Sequence, residues 1–284
     1  MAAGTITRRK GLMTTETYAV TVIAANTNLT NRRVYKGGGY KSQIIVDSGY
    51  SIYEVKITMG GLDITSSVYD ATYQMIDIPH VTDAVTVEVY AMHTMPSDYI
   101  KVDGIKNPNN AYIDTGYKIS YKNILTIDFT RNGGTAFIAS SKATGTTTTA
   151  GTILYDEAGT MKTDANKSGL TVLNGVASGR NIVVFNHSEH RIYVNGVNQK
   201  YIDKKTDTDA RNLWLYRNYY QLDKVKGTGL IIHACYIKDF TTRTYERYYI
   251  PCLNASGVAG FWDAARGVFQ GSSNSTAFQS VAST

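Results

Sequence analysis

The side chains of this 284-residue chain that could do chemistry are its scattered carboxylates, a histidine pair, two cysteines and one run of aromatics. His187 and His190 flank Glu189, a set of types that suits acid–base work or a metal. Their i, i+3 spacing fits a helix face better than a hairpin turn, so surface histidines in a polar turn are expected. Glycoside hydrolysis needs two carboxylates across the sugar, commonly from alternate positions of one strand. The second part of the chain offers Glu157, Glu189 and Glu246, each in a turn-like context, and Asp128 alone within ITIDFT. No strand carries a pair, so no catalytic residue is expected and the chain reads as a non-enzyme. No nucleophile elbow, P-loop or dinucleotide fingerprint occurs either.

Cys235 sits in the apolar run GLIIHACYIKD and Cys252 follows Pro251, so both are expected as buried, reduced thiols. Without a CxxC or a histidine at ligand spacing, no metal and no cofactor is expected. The aromatics are the more informative group. Trp214, Tyr216, Tyr219 and Tyr220 crowd one strand and its loop, with Arg217 and Asn218 among them. Rings can stack on the apolar face of a sugar while the guanidinium and amide bond its hydroxyls. The expected ligand-binding set is therefore Tyr216, Arg217, Asn218, Tyr219 and Tyr220. Strand alternation puts Trp214 and Tyr216 on one face, so Tyr219 and Tyr220 are the members expected in solvent. Surface tyrosines equally mark protein–protein contacts.

These residues need a β scaffold. Gly, Thr, Asn and Tyr are abundant and only four prolines occur, which points to an all-β protein with polar turns. No apolar run reaches the length of a membrane span, and the start MAAGTITRRKG has no apolar core of a secretory signal. The net charge is +6, yet the basic residues do not alternate with stacking aromatics, so nucleic acid is not an expected partner. Up to His93 there are eight basic and eight acidic residues, and the whole excess lies beyond. A basic surface suits solubility or an acidic glycan.

The stretch Arg180 to Val197 organises the second part. Ile182 to Phe185 reads as a buried strand, Asn186 to Glu189 as a turn and Arg191 to Val194 as the returning strand. Asn195-Gly196 then demands another reversal, because both central positions of a type I′ turn need positive φ. Further on, Leu125 to Phe129, Leu213 to Tyr216 and Leu230 to Ile237 read as strands, with loops at Ala143 to Gly151 and Asp203 to Asp209. In the first part, Tyr18 to Ala25, Ser42 to Val46, Tyr53 to Met59, Ile76 to Ile78 and Val85 to Val89 are expected strands, and Gly60-Gly61 a break. Residues 1–16 read as an arm carrying Arg8, Arg9 and Lys10, residues 17–93 as a small sandwich of immunoglobulin size, and His93 to Ser97 as a linker into 97–284.

Several stretches resemble known families. GYSIYEVKITMGGLDITSSVYD, followed by MIDIPHVTDAVTVEVYA, is similar to a small immunoglobulin-like module common in bacteriophage tail, fibre and other virion proteins, with Val81-Thr82-Asp83 where that module usually has VTG. YIKVDGIKNPNNAYIDTGYK resembles the first strand, and YIPCLNASGVAGFWDAARGVFQGSSNSTAF the closing segment, of phage-encoded jelly rolls. IYVNGV looks like the central strands of laminin-G and concanavalin A-like sandwiches. The resemblance implies an N-terminal immunoglobulin-like β-sandwich followed by a concanavalin A-like, laminin-G type jelly roll. It further implies a virion structural protein, made in the bacterial host cytoplasm and displayed on the particle surface. Such a protein would bind host-surface glycan or other virion subunits of the capsid, tail or baseplate, as a homo-oligomer with a trimer favoured. Capsid or tail decoration is the alternative, and a carbohydrate-active enzyme a more distant one. In this reading Arg8, Arg9 and Lys10 anchor the arm in the assembly.

Overall fold

The computed structural model describes residues 16–108, 110–131, 135–141, 151–157, 159–165, 171–202, 208–209, 211–217 and 229–282. Among them the chain is all-β: twenty-five strands, and one helical turn at Thr65–Val68. It divides into two compact units, Met1–Ala91 and Met92–Thr284. The expected arm with Arg8, Arg9 and Lys10, most of the loop from Ala143 and most of the loop from Asp203 lie outside the described residues.

The first unit has two sheets. A five-stranded sheet runs Arg32–Tyr35, Thr17–Ala25, Val85–His93, Tyr50–Met59, Leu62–Asp63, and a three-stranded one Tyr40–Gln43, Met75–Ile78, Tyr69–Asp70. Val20, Ile57, Val85, Val87 and Val89 from the first meet Tyr40, Ile76 and Ile78 from the second in one core. The Val85–Val89 alternation expected from sequence is the inward row of this core. The first and last long strands pair in parallel, Val20 opposite Val85 through Ala25 opposite Tyr90. Gly60 and Gly61 take φ of 57° and 84°, and the chain reverses there so that Met59 faces Leu62. The expected Ser42 to Val46 strand is instead Tyr40–Gln43, with Ile44 buried beyond its end.

In the second unit a large sheet runs Val197–Tyr201, Arg191–Val194, Gly179–Asn186, Asn123–Arg131, Ile231–Asp239, Tyr245–Leu253, Ala259–Asp263, Val268–Gln270. Three short strands, Ile100–Lys101, Gly104–Lys106 and Gln279–Val281, pair alongside it. The opposing sheet runs Ile113–Asp114, Trp214–Leu215, Ala136–Ser140, Thr152–Glu157, Thr160–Ala165, Thr171–Val172. Leu125, Ile127, Phe129, Phe185, Ile237 and Phe261 of the large sheet share a core with Ile113, Ile138, Leu154 and Leu215 of the other.

The hairpin expected at Arg180 to Val197 is present. Val183 pairs with Val194 and Phe185 with Ile192, and Asn195 and Gly196 have φ of 50° and 79°. The Asn195 side chain tightens the reversal: its Oδ1 accepts from the Ile182 amide at 2.8 Å and its Nδ2 donates to Asn181 Oδ1 at 3.2 Å. One expectation fails in detail. Ile182 to Phe185 is not buried throughout: Val183 and Phe185 face the core while Ile182 is 41% exposed, because only one face of this sheet is covered by its partner. In the His93 to Ser97 segment, His93 ends the Val85–His93 strand and its amide donates to the Ala264 carbonyl at 2.9 Å, and residues 94–97 carry no strand.

Candidate functional site

In Ile113–Asp114 and Trp214–Leu215 the odd and even positions separate core from surface. Ile113 and Leu215 pair and point into the core, so Asp114 and its partner Trp214 share the outer face with Tyr112. The Tyr112 and Trp214 rings lie 4.8 Å apart at 39°, both half-buried. Arg217 reaches back over them, its guanidinium carbon 4.5 Å from the Tyr112 ring centre and 5.6 Å from that of Trp214. Asn212 Nδ2 donates to Asp114 Oδ1 at 3.0 Å, and the same oxygen accepts from the Gly116 amide at 2.9 Å. Ser273 fixes the corner from the other end of the chain: its hydroxyl accepts from the Asp114 amide at 2.8 Å and its amide donates to the Tyr112 carbonyl at 2.7 Å. The result is a ring pair, a cation, an amide and a carboxylate, held by segments about a hundred residues apart.

Of the five residues expected to bind ligand, the structure places Arg217 at this corner and removes Tyr216 from it. Tyr216 has φ of 65°, which ends the strand after Leu215 and breaks the alternation that would have kept Tyr216 beside Trp214. Its ring is 1% exposed against Phe278, at 5.4 Å. Its hydroxyl donates to the Ile105 carbonyl and accepts from the Ile232 amide at 3.0 Å, and burial pushes the phenol well above its ordinary pKa. Tyr216 is a core residue. Asn218, Tyr219 and Tyr220 lie outside the described residues. Tyr112 and Asp114, a hundred positions earlier, were not reachable from the loop sequence, because nothing local says which strand lies beside Trp214.

The other chemistry-bearing groups are accounted for by packing. His187 is fully buried rather than a surface residue; its ring stacks with Phe185 at 6.3 Å and its Nε2 lies 3.4 Å from Thr152 Oγ1. His190 sits in the turn at φ 58°. Among the described residues no group of three His, Cys, Asp or Glu could hold a metal ion. Glu246 lies in the strand Tyr245–Leu253 and Glu157 closes Thr152–Glu157, so neither is in a turn, whereas Glu189 is. Cys235 and Cys252 are free and buried, and burial raises both thiols, Cys252 to about 11.

Asp128 does not stand alone in the fold. Arg180 grips it with two hydrogen bonds at 2.9 and 2.8 Å and lies 3.9 Å from Asp103. Beside it His233 Nδ1 is 2.8 Å from the Asp103 carbonyl and 3.3 Å from the Asp103 carboxylate, while Nε2 is 2.7 Å from Thr130 Oγ1. A carbonyl oxygen only accepts, so Nδ1 carries a proton toward Asp103, and Nε2 is left to pair with the threonine hydroxyl. Hydroxyl, imidazole and carboxylate are in the order a nucleophile requires. Thr130, however, is mid-sheet, paired with Arg180 on one side and Ile231 on the other, so its backbone is committed to the ladder instead of offering donors to an oxyanion. The cluster pins residues 103–106 to the sheet.

A second aromatic group was missed by the sequence. Tyr236 and Tyr248 stack across neighbouring strands at 5.4 Å and 12°, Tyr245 meets both edge-on at 5.8 and 5.0 Å, and Lys238 Nζ lies 5.1 Å from the Tyr245 ring centre. The chain matches no protein-family model and no curated protein.

Proposed function

We propose that the chain is a structural protein of a bacteriophage particle, made in the host cytoplasm and displayed on the particle surface, whose second unit binds host-surface glycan without turnover. The observation that carries the binding is the Tyr112–Trp214 ring pair, with Arg217 over it and Asn212 and Asp114 beside it. A pyranose offers C–H faces to such rings and hydroxyls that need both donors and acceptors, and these groups supply all of them. The excess of positive charge beyond His93 supports an acidic glycan over a neutral one. The immunoglobulin-like reading of the first unit is supported by two small sheets over one core, and the jelly-roll reading of the second by two larger ones. The phage motifs of the sequence supply the virion context, in which the protein acts as a homo-oligomer, a trimer being favoured.

The test is binding of purified host envelope polysaccharide to the intact protein and to Trp214→Ala and Arg217→Ala. Losing one stacked ring or its cation should weaken binding roughly fivefold, since each such contact is worth on the order of 1 kcal/mol. Unchanged binding in both variants, with melting also unchanged, would rule the corner out.

One observation favours a second reading, a decoration protein that contacts other virion subunits. The Tyr236–Tyr245–Tyr248 group on the outer face of the large sheet has the tyrosine-rich character of protein contacts. Tyr245→Ala would then abolish incorporation into particles while leaving polysaccharide binding intact.

A further inference from the structure

We infer that the first unit carries its own carbohydrate site, on the outer face of its three-stranded sheet, separate from the Trp214 corner. In that sheet Tyr40, Ile76 and Ile78 point into the core, so Lys41, Gln43, Met75 and Asp77 face outward. Lys41 lies opposite Asp77 and Gln43 opposite Met75, two residues further along, a spacing of about 7 Å. Asp70 pairs with Met75 from the other side, and the helical turn Thr65–Val68 raises Ser66 and Ser67 as a rim. Together these form an open groove of about 500 Å³, in the size range of small-ligand clefts.

One wall is aromatic and stands on a turn whose backbone is held. Tyr73 is 69% exposed, yet its backbone is fixed: Asp70 Oδ1 accepts from the Thr72 amide at 2.8 Å and the Tyr73 amide at 3.3 Å, and Gln43 Nε2 donates to the Tyr73 carbonyl at 3.4 Å. Gln74 follows at φ 51°, and its carbonyl accepts from the Ile44 amide at 2.8 Å. A large ring standing in solvent has no packing duty, and the held backbone of its turn lowers the part of the ordering cost that the chain itself would contribute on binding.

The rest of the lining says what would bind. Tyr69, Val68 and Met75 give an apolar floor. The exposed Lys41–Asp77 pair, at 2.7 Å, sets a strong donor beside a strong acceptor, and Gln43, Ser66 and Ser67 offer both capacities. A hexose matches this combination: an apolar ring face for Tyr73 and neighbouring hydroxyls that each donate and accept. Lys41 is paired with Asp77, and the remaining carboxylate, Asp70, accepts from the Thr72 and Tyr73 amides, so the groove offers no unpaired cation and suits a neutral sugar over an acidic one.

The experiment is saturation-transfer NMR on the full chain with glucose, galactose and N-acetylglucosamine at millimolar concentration. At least one sugar should receive saturation, and Tyr73→Ala should weaken that binding roughly tenfold, Tyr73→Phe restore most of it, and Arg217→Ala leave it unchanged. Tyr73 is exposed, so its loss should not shift melting. No transfer to any of the three sugars would overturn the inference. A signal that survives Tyr73→Ala when Arg217→Ala is also present, or that disappears with Arg217→Ala alone, would overturn it.

Discussion

Among single residues, Asp263 shows how burial and charge oppose each other. Its carboxyl is fully buried; Oδ1 accepts from the Tyr248 amide at 3.0 Å, and Arg247 Nε stands 3.6 Å from Oδ2 while donating to the Thr115 carbonyl at 3.0 Å. Burial wins over the amide and the loosely placed guanidinium, and the carboxyl is raised above its ordinary pKa. The folded state therefore holds its proton to higher pH than the unfolded chain does. The stabilisation is complete below the unfolded carboxyl range, near pH 4, and is lost as pH rises through the folded value. Asp263→Asn keeps the acceptor for the Tyr248 amide and abolishes the charge. Its unfolding free energy in urea, minus that of the parent, should grow as pH goes from 4 to 7. A difference that stays flat over that range would refute the account. Tyr216 carries a different lesson: its type suggested a ligand contact, but a single positive φ turned it into the core, and no pattern of neighbouring residues announces that.

Among the elements, the edge of the large sheet is the most sharply constrained. Gly260 lies where Ala259–Asp263 passes Val268–Gln270, and a Cβ there would run into the Gln270 carbonyl and come within 2.6 Å of the Phe269 ring. The backbone oxygen cannot step aside without unpairing the edge strand. Gly260→Ala should therefore destabilise by about 1–3 kcal/mol, and amide exchange at residues 268–270 should accelerate selectively. Unaltered protection there would show that the edge is looser than this packing implies. The hairpin at Asn195-Gly196 stands at the opposite extreme, since its turn chemistry is local and was readable from two residues. Short strands such as Arg32–Tyr35 and Leu62–Asp63 carry no such signal and exist because a longer neighbour offers them a ladder.

The whole chain forms two compact units with separate cores, divided between Ala91 and Met92. Each is large enough to fold by itself. Residues 17–91 and 92–284, produced separately, should each unfold in urea in one cooperative transition. A piece that gives no cooperative transition would show that its core depends on the other. The charge asymmetry belongs to this scale too, because the second unit carries the positive excess and with it the reading of an acidic partner.

By itself the sequence determined what depends on neighbours along the chain. The period-two rows at Val85–Val89 and Ile76–Ile78, the glycine break, the Asn195-Gly196 reversal and an all-β composition are local signals with local causes. The tertiary structure decided everything that depends on which strand lies beside which. It brought Tyr112 and Asp114 to Trp214 across a hundred residues, gave Asp128 its arginine, buried His187, stacked Tyr236 on Tyr248 and gathered the groove around Tyr73. Sheet partners are chosen by the packing of the core as a whole, so a binding surface assembled from their outer faces cannot be read from any one stretch.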